Sequence, residues 1–127
     1  MPSTQLPLDT IAFLIFGIVG TTIILQKLFV IRTSLKEILL MVAAGIVLTA
    51  ISLQYSTEPF GSGTGMRVDS GWPHFFHIAW ESFEGIGSFS NFVWGSLGSY
   101  VVINILFYAT LIWFLYNIAK LVRRKVK

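Results

Sequence analysis

The sequence predicts an all-α integral membrane protein with three transmembrane helices and one amphipathic interfacial helix in an outer loop. Three observations predict this fold class: three long apolar stretches, charges that cluster at the ends of those stretches, and a composition that is 54% hydrophobic and 12% charged. A soluble domain has about a quarter charged residues, whereas the mean hydropathy here is +0.75. We therefore exclude a soluble enzyme and expect one membrane domain, residues 1–127.

The first predicted span covers residues 10–31. Its apolar part would extend about 31 Å as a helix, which matches the hydrocarbon thickness of a bilayer. Asp9 stands where a carboxylate can cap free backbone N–H groups, and Lys27 is close enough to the far end to extend its charge into the interface. A cleaved signal peptide is the alternative, but the leader contains no Lys or Arg, which argues against it.

The second predicted span covers residues 36–55. Ser34 and Glu37 have the spacing of a capping box, in which a Ser side chain and a Glu side chain satisfy each other's backbone N–H groups at the start of a helix. The stretch 38–55 carries no charge and ends at Tyr55, which is expected in the headgroup region. The capped turn and this tyrosine together make the segment long enough to span.

The third predicted span covers residues 97–119. It is the last uncharged stretch of the chain, and a strongly basic tail follows it. Tryptophan and tyrosine are enriched where a helix meets the membrane surface. Trp94 is therefore expected at one interface, and Trp113 with Tyr116 at the other.

The distribution of charge predicts an orientation for the three spans. Basic residues are retained preferentially on the cytoplasmic side. Eight of the nine Lys and Arg residues fall on one predicted side, and five of the six acidic residues fall on the other. We therefore expect a cytoplasmic-membrane protein with its N terminus outside and its C terminus in the cytoplasm. The short basic tail predicts contact with anionic lipid headgroups and no binding of nucleic acid.

Residues 55–97 form an outer segment that is too long for a simple connection between packed helices. Its first half is rich in glycine and predicts turns; a phosphate-binding loop is the alternative, but the Lys-Ser/Thr ending is missing. In its second half, Pro73 and the residues after it sort with a 3.6-residue period. That period predicts an amphipathic interfacial helix over about residues 73–87, with one aromatic side and one polar side.

The two sides of this predicted helix suggest different functions. Imidazole and carboxylate groups on the polar side, within about 80° of one another, would be able to bind zinc, copper or iron. A polar side that simply faces water is the alternative, and we favour it because two His and two Glu are a generic set. The aromatic side predicts docking to a partner protein. The candidate metal ligands are His74, His77, Glu81 and Glu84, and the candidate partner-binding residues are Trp72, Phe76, Trp80 and Phe83.

Small and polar residues within the spans predict how the helices pack. Gly17 with Thr21, and Gly45 with Thr49, have the small-x-x-x-small spacing that allows two membrane helices to approach closely. We expect a tight hairpin of the first two spans, with a homodimer as the alternative. In the third span, Asn104 and Tyr108 share a face, and the amide is expected to hydrogen-bond another helix.

Part of the sequence resembles small uncharacterised prokaryotic membrane proteins. The matching features are Arg67, the sequence Gly71-Trp72-Pro73, and the sequence Asn104-Ile105-Leu106-Phe107-Tyr108 followed by the basic tail. Those proteins have an Arg, then Gly-Phe-Pro or Gly-Trp-Pro outside the membrane, and Asn-x-x-Phe in a terminal span. The resemblance implies a membrane hairpin with an ordered outer loop and implies no activity. The first span and the aromatic helix depart from that pattern.

These features predict a small non-catalytic accessory subunit of a larger membrane complex, such as a respiratory oxidase or a copper-dependent membrane monooxygenase, with other integral membrane subunits as partners. The alternatives are a homo-oligomeric pore-former or small transporter, and a metal-binding protein that uses the polar side of the outer helix. The chain has no Cys, no nucleophile paired with a base and no cofactor fingerprint, so we expect no enzyme activity and no cofactor.

Overall fold

The computed structural model describes residues 6–56, 59–85, 87–95 and 98–126. Within these residues, two helices are followed by a small β-structure and then by a third helix. Glu58, Ile86 and the side chain of Trp94 lie outside the described part of the chain, so the positions expected for them at the outer side and at the interface stay predictions.

Three helices are long and apolar enough to cross a membrane. They are α1 (Leu8–Phe29), α2 (Leu35–Ile51, continued by a 3-10 turn over Ser52–Gln54) and α3 (Tyr100–Val126). Their positions confirm the three apolar helices predicted from the sequence, to within a few residues at most ends. The exception is the C-terminal end of α3, which continues through the basic residues for seven residues beyond the predicted position 119.

The start of α2 confirms the predicted capping box. The Ser34 hydroxyl accepts a hydrogen bond from the Glu37 N–H at 3.2 Å, and the Glu37 carboxylate accepts one from the Ser34 N–H at the same distance. Two backbone N–H groups at the helix start are therefore satisfied by side chains only three residues apart in sequence.

The third helix, α3, organises the helical part of the molecule. It packs against both α1 and α2, whereas α1 and α2 make few contacts with each other. The expected tight hairpin of the first two spans is therefore wrong. Each of α1 and α2 packs along α3, and no seam joins the two to each other. Most of their apolar side chains point outward, as in Phe13 and Phe16, which are 79% and 78% exposed.

The outer segment is a β-structure at one end of the helices, which we call the sheet end. The opposite end, with residues 30–34 and the C-terminal part of α3, is called the basic end. Four strands pair antiparallel in chain order: β1 (Phe60–Ser62), β2 (Gly65–Ser70), β3 (His77–Ser82) and β4 (Ser88–Phe92). A separate short pair, β5 (Trp94–Gly95) and β6 (Gly98–Ser99), leads into α3.

The all-α fold class and the interfacial helix over residues 73–87 are therefore wrong. The sequence His77-Ile-Ala-Trp-Glu-Ser82 also alternates with a period of two, which places Ile78 and Trp80 on one side of a strand and His77 and Glu81 on the other. This strand forms because β2 and β4 pair with it along both edges. Aromatic residues are so frequent in this segment that they also fit a period of 3.6. Pairing with distant strands, rather than this local pattern, decided the structure.

Candidate functional site

The loop between β2 and β3 is docked onto the sheet end of α3. The Tyr108 hydroxyl donates to the Trp72 carbonyl oxygen at 2.7 Å, and the His74 N–H donates to the Asn104 side-chain oxygen at 3.3 Å. Asn104 also donates to the Tyr100 carbonyl oxygen at 2.6 Å and is fully buried. The expected interhelical bond of Asn104 is therefore a bond to the backbone of this loop.

The N-terminal segment holds the same loop from another side. The Leu6 N–H donates to the Pro73 carbonyl oxygen at 2.8 Å, and the His74 Nδ1 lies 2.8 Å from the Leu6 carbonyl oxygen. The His74 ring also stacks on Phe75 and contacts the edge of Tyr100. Pro73 has a cis peptide bond and is fully buried. Residues 72–74 are therefore fixed by hydrogen bonds from two segments that are distant in sequence.

Gly71 is required by the backbone and by the packing of this loop. Its φ of +119° is in the region that favours glycine. A Cβ at this position would overlap the Phe76 ring, which is itself 2% exposed. The Trp72 ring then meets the edge of Phe107 at 6.1 Å. The two sequences that carry the resemblance, Gly-Trp-Pro and Asn-x-x-Phe-Tyr, thus contact each other directly.

The candidate metal ligands are not brought together. His77 and Glu81 share one side of β3 but are four residues apart, about 13 Å along a strand. His74 lies before the strand and is bonded to Leu6, and Glu84 lies in the turn after it. Among the described residues, no group of three or more His, Asp and Glu side chains is placed to hold a metal ion. The shared helical face on which that site depended does not exist.

A row of large side chains crosses the sheet from β1 to β4. Arg67 in β2 is directly opposite Phe60 in β1 and Trp80 in β3, and Trp80 is directly opposite Phe89 in β4. Residues that are opposite on neighbouring strands lie on the same face and contact each other. We call these four residues the aromatic row. Phe60 and Phe89, at its two ends, are 40% and 55% exposed.

The side chains in the middle of the aromatic row are held by several neighbouring groups. The Arg67 guanidinium lies 5.7 Å from the Phe60 ring centre and 5.4 Å from the Phe75 ring centre, within the range of cation–π attraction. It also pairs with Asp69, with Nε 2.6 Å from the carboxylate. The Trp80 and Phe89 rings stack with centres 5.6 Å apart. An ordered surface of this kind loses little conformational entropy on binding.

The candidate partner-binding residues have different environments. Trp80 belongs to the aromatic row, and Phe83 is 64% exposed in the turn after β3. Phe76 is buried against Phe92, and Trp72 packs on α3, so these two side chains contribute to the packing of the chain itself. Phe60 and Phe89 were missed because, in a helical interpretation, neither belonged to the aromatic face. No periodicity identifies them, because β1 is only three residues long and Phe89 joins the row only through its pairing with Trp80.

The two small-residue seams also differ. A Cβ at Gly45 would stand 3.0 Å from the Ile105 carbonyl oxygen and 3.2 Å from the Ala109 N, so α2 approaches the backbone of α3 closely there. Thr49, in the same seam, is buried. A Cβ at Gly17 would meet no atom within 4 Å, and Thr21 is exposed. The seam on α1 is therefore open within the chain.

A polar network at the basic end was missed by the sequence reasoning. Gln26 on α1 donates to Thr33 at 2.6 Å and to Asn117 at 3.2 Å, and the Trp113 indole N–H donates to the same Thr33 hydroxyl at 2.9 Å. Asn117 is fully buried. Lys120 donates to the Arg32 carbonyl oxygen. The signal was the helical repeat of polar groups on one side of α3: Asn117, Lys120 and Arg124.

The comparisons with known proteins add no family to this description. No protein-family model matches the sequence, and no curated protein or solved structure matches it either. The function is therefore argued from the surfaces described above.

Proposed function

We propose that this protein is a small non-catalytic accessory subunit of a larger membrane protein complex. The observation that carries the proposal is the aromatic row, which ends in two exposed phenylalanines on a sheet at one end of the helices. Aromatic side chains in ordered surroundings supply most of the energy of protein interfaces. The expected partner is an integral membrane subunit that presents an apolar surface beside the same end of the helices.

The edge strand β4 supports the same proposal. All five of its residues are exposed, and none of them is charged. Proteins usually protect such an edge with Lys, Pro or a bulge, because free backbone N–H and C=O groups bind other strands. A partner segment that pairs with β4 would extend the sheet and lie next to Phe89. The open seam on α1 offers a second contact, for a helix of the partner within the membrane.

Co-purification from the native host tests this role. A tagged chain is extracted in mild detergent, and the membrane proteins that accompany it at fixed stoichiometry are quantified by mass spectrometry. We expect Phe89→Ala to lower the recovery of the partner about tenfold, the loss typical of an interface hot spot. Leu39→Ala is the matched control, since Leu39 is 61% exposed but lies on α2 and belongs to neither proposed contact. Equal recovery of the partner with both variants would contradict the proposal.

We also propose that the sheet end faces the outside of the cytoplasmic membrane and that the basic end faces the cytoplasm. The charge distribution supports this orientation. The chain has no native Cys, so single-cysteine variants can be labelled cleanly. On intact cells an impermeant maleimide should label Ser90→Cys, whereas Lys125→Cys should react only after permeabilisation. The reverse pattern of labelling would invert the orientation.

A further inference from the structure

An open groove runs between α2 and α3 in the half of the helices nearest the basic end. It has a volume of about 200 Å³ and is lined by Glu37, Leu40, Met41, Ile112 and Tyr116. Leu40, Met41 and Ile112 form its apolar floor, while Glu37 and Tyr116 stand at the end toward the charged residues. The groove is therefore apolar at one end and polar at the other, like a phospholipid.

Cationic side chains stand at the polar end. At 100° per residue, Ile112, Tyr116 and Arg123 fall within about 40° of one another around α3, so Arg123 continues the side of the helix that lines the groove. Ile112 and Arg123 are 11 residues apart, about 16 Å along a helix, which is close to the thickness of one leaflet's hydrocarbon layer. An acyl chain along the floor would thus place its headgroup near Arg123.

The charges at this end favour an anionic headgroup. The Glu37 carboxylate is neutralised locally, because the Lys120 ammonium lies 3.1 Å from it and also 4.7 Å from the centre of the Tyr116 ring. Arg124 is bonded to the carbonyl oxygens of Phe29 and Val30. Arg123 is exposed and makes no hydrogen bond or ion pair with the described residues, so its guanidinium is available to a phosphate.

We propose that this groove binds one anionic phospholipid, with an acyl chain against Leu40, Met41 and Ile112 and with its phosphate at Arg123. The basic tail as a whole is expected to attract anionic membranes. The proposed site is more specific, because it places one lipid in one groove with its phosphate at one cation. It does not depend on the proposed role as a subunit, since the chain alone contains every residue involved.

Native mass spectrometry of the purified full-length chain tests the proposal. The chain, in mild detergent, is incubated with equal amounts of phosphatidylglycerol and phosphatidylcholine, and the lipids retained per chain are counted. We expect one phosphatidylglycerol to be retained in preference to phosphatidylcholine. Arg123→Gln should lower that retention about fivefold, the effect of one cation near a phosphate. Lys27→Gln removes the same charge from α1 at the same end and should leave the retention unchanged.

A second pair of variants tests the groove itself. Ile112→Trp fills the floor and should displace both lipids, whereas Leu28→Trp, on an exposed side of α1, should not. Thermal unfolding in the same detergent identifies any variant that fails to fold, and in that case the Arg123 and Lys27 pair decides alone. Equal retention of the two lipids, equal losses from Arg123→Gln and Lys27→Gln, or full retention by a folded Ile112→Trp would overturn the proposal.

Discussion

Two nearly identical pentapeptides in this chain have opposite environments. Residues 17–21 read Gly-Ile-Val-Gly-Thr, and residues 45–49 read Gly-Ile-Val-Leu-Thr. In both, the Thr hydroxyl donates to the Gly carbonyl oxygen one turn earlier, at 2.8 Å. However, Gly45 and Thr49 are packed against α3, whereas Gly17 and Thr21 face outward. The local structure is the same, and only the neighbouring helix differs.

This difference shows that a small-residue seam permits close packing but does not choose its partner. Helix α1 contacts α3 through another side, where Ile11 and Thr22 are fully buried. Thr21 and Thr22 are adjacent, yet one is exposed and the other is inaccessible. The position of α3 is fixed at both of its ends, by Asn104 at the sheet end and by Asn117 at the basic end. The small-residue spacing is thus filled on α2, where α3 lies against Gly45, and is open on α1.

The largest expected difference between the two seams comes from filling them. Gly45→Leu should destabilise the chain by about 2 to 3 kcal/mol, because its Cβ alone would stand 3.0 Å from a backbone oxygen of α3 that cannot move without separating the helices. Gly17→Leu should leave the free energy of unfolding unchanged in the isolated chain. Reversible unfolding by SDS in mixed micelles measures both values. Equal destabilisation by the two variants would mean that the seam on α1 is also packed.

The difference between local sequence and neighbouring elements also explains which predictions from the sequence were correct. Hydropathy over 20 residues is a local property, so the positions of the three helices and the capping box at Ser34 were predicted correctly. Strand β3 was not, because its stability depends on β2 and β4, whose paired residues are 7 to 17 positions away, as in Ser82 with Gly65 and Glu81 with Ser88. Local periodicity carries no information about such partners.

In the candidate site, too, local features were predicted and contacts between distant residues were not. The need of Asn104 for a hydrogen-bond partner was evident from its position in an apolar stretch. The identity of that partner, the His74 N–H, was not, since it depends on a loop 30 residues earlier in the chain. Trp80 was recognised as a surface aromatic residue, but its neighbours Phe60 and Phe89 were identified only from the register of the sheet.

A smaller effect is expected from the buried amides that fix α3. Asn104→Leu removes an acceptor from the His74 N–H and should cost about 1 to 2 kcal/mol. Asn117→Leu is the matched control, since this amide is equally buried at the opposite end of the same helix. Hydrogen exchange should become faster at residues 71–76 only in the first variant, and near residues 26–33 only in the second. Faster exchange throughout both variants would show that α3 is not fixed independently at its two ends.

The smallest expected difference concerns the two threonines. Thr49→Val keeps the shape of the side chain and removes a hydroxyl that already bonds within its own helix, so the cost should be about 0.5 kcal/mol. Thr21→Val removes the same intrahelical bond from an exposed position and should have no measurable effect on unfolding in SDS. These two variants would also detect a partner helix bound to α1, because such a helix would bury Thr21 as α3 buries Thr49. Thr21→Val could instead prove as costly as Thr49→Val, with a cost that falls when the protein is diluted in detergent. In that case the seam on α1 would be occupied by another copy of the chain. The contrast between the two pentapeptides would then be a property of the monomer alone.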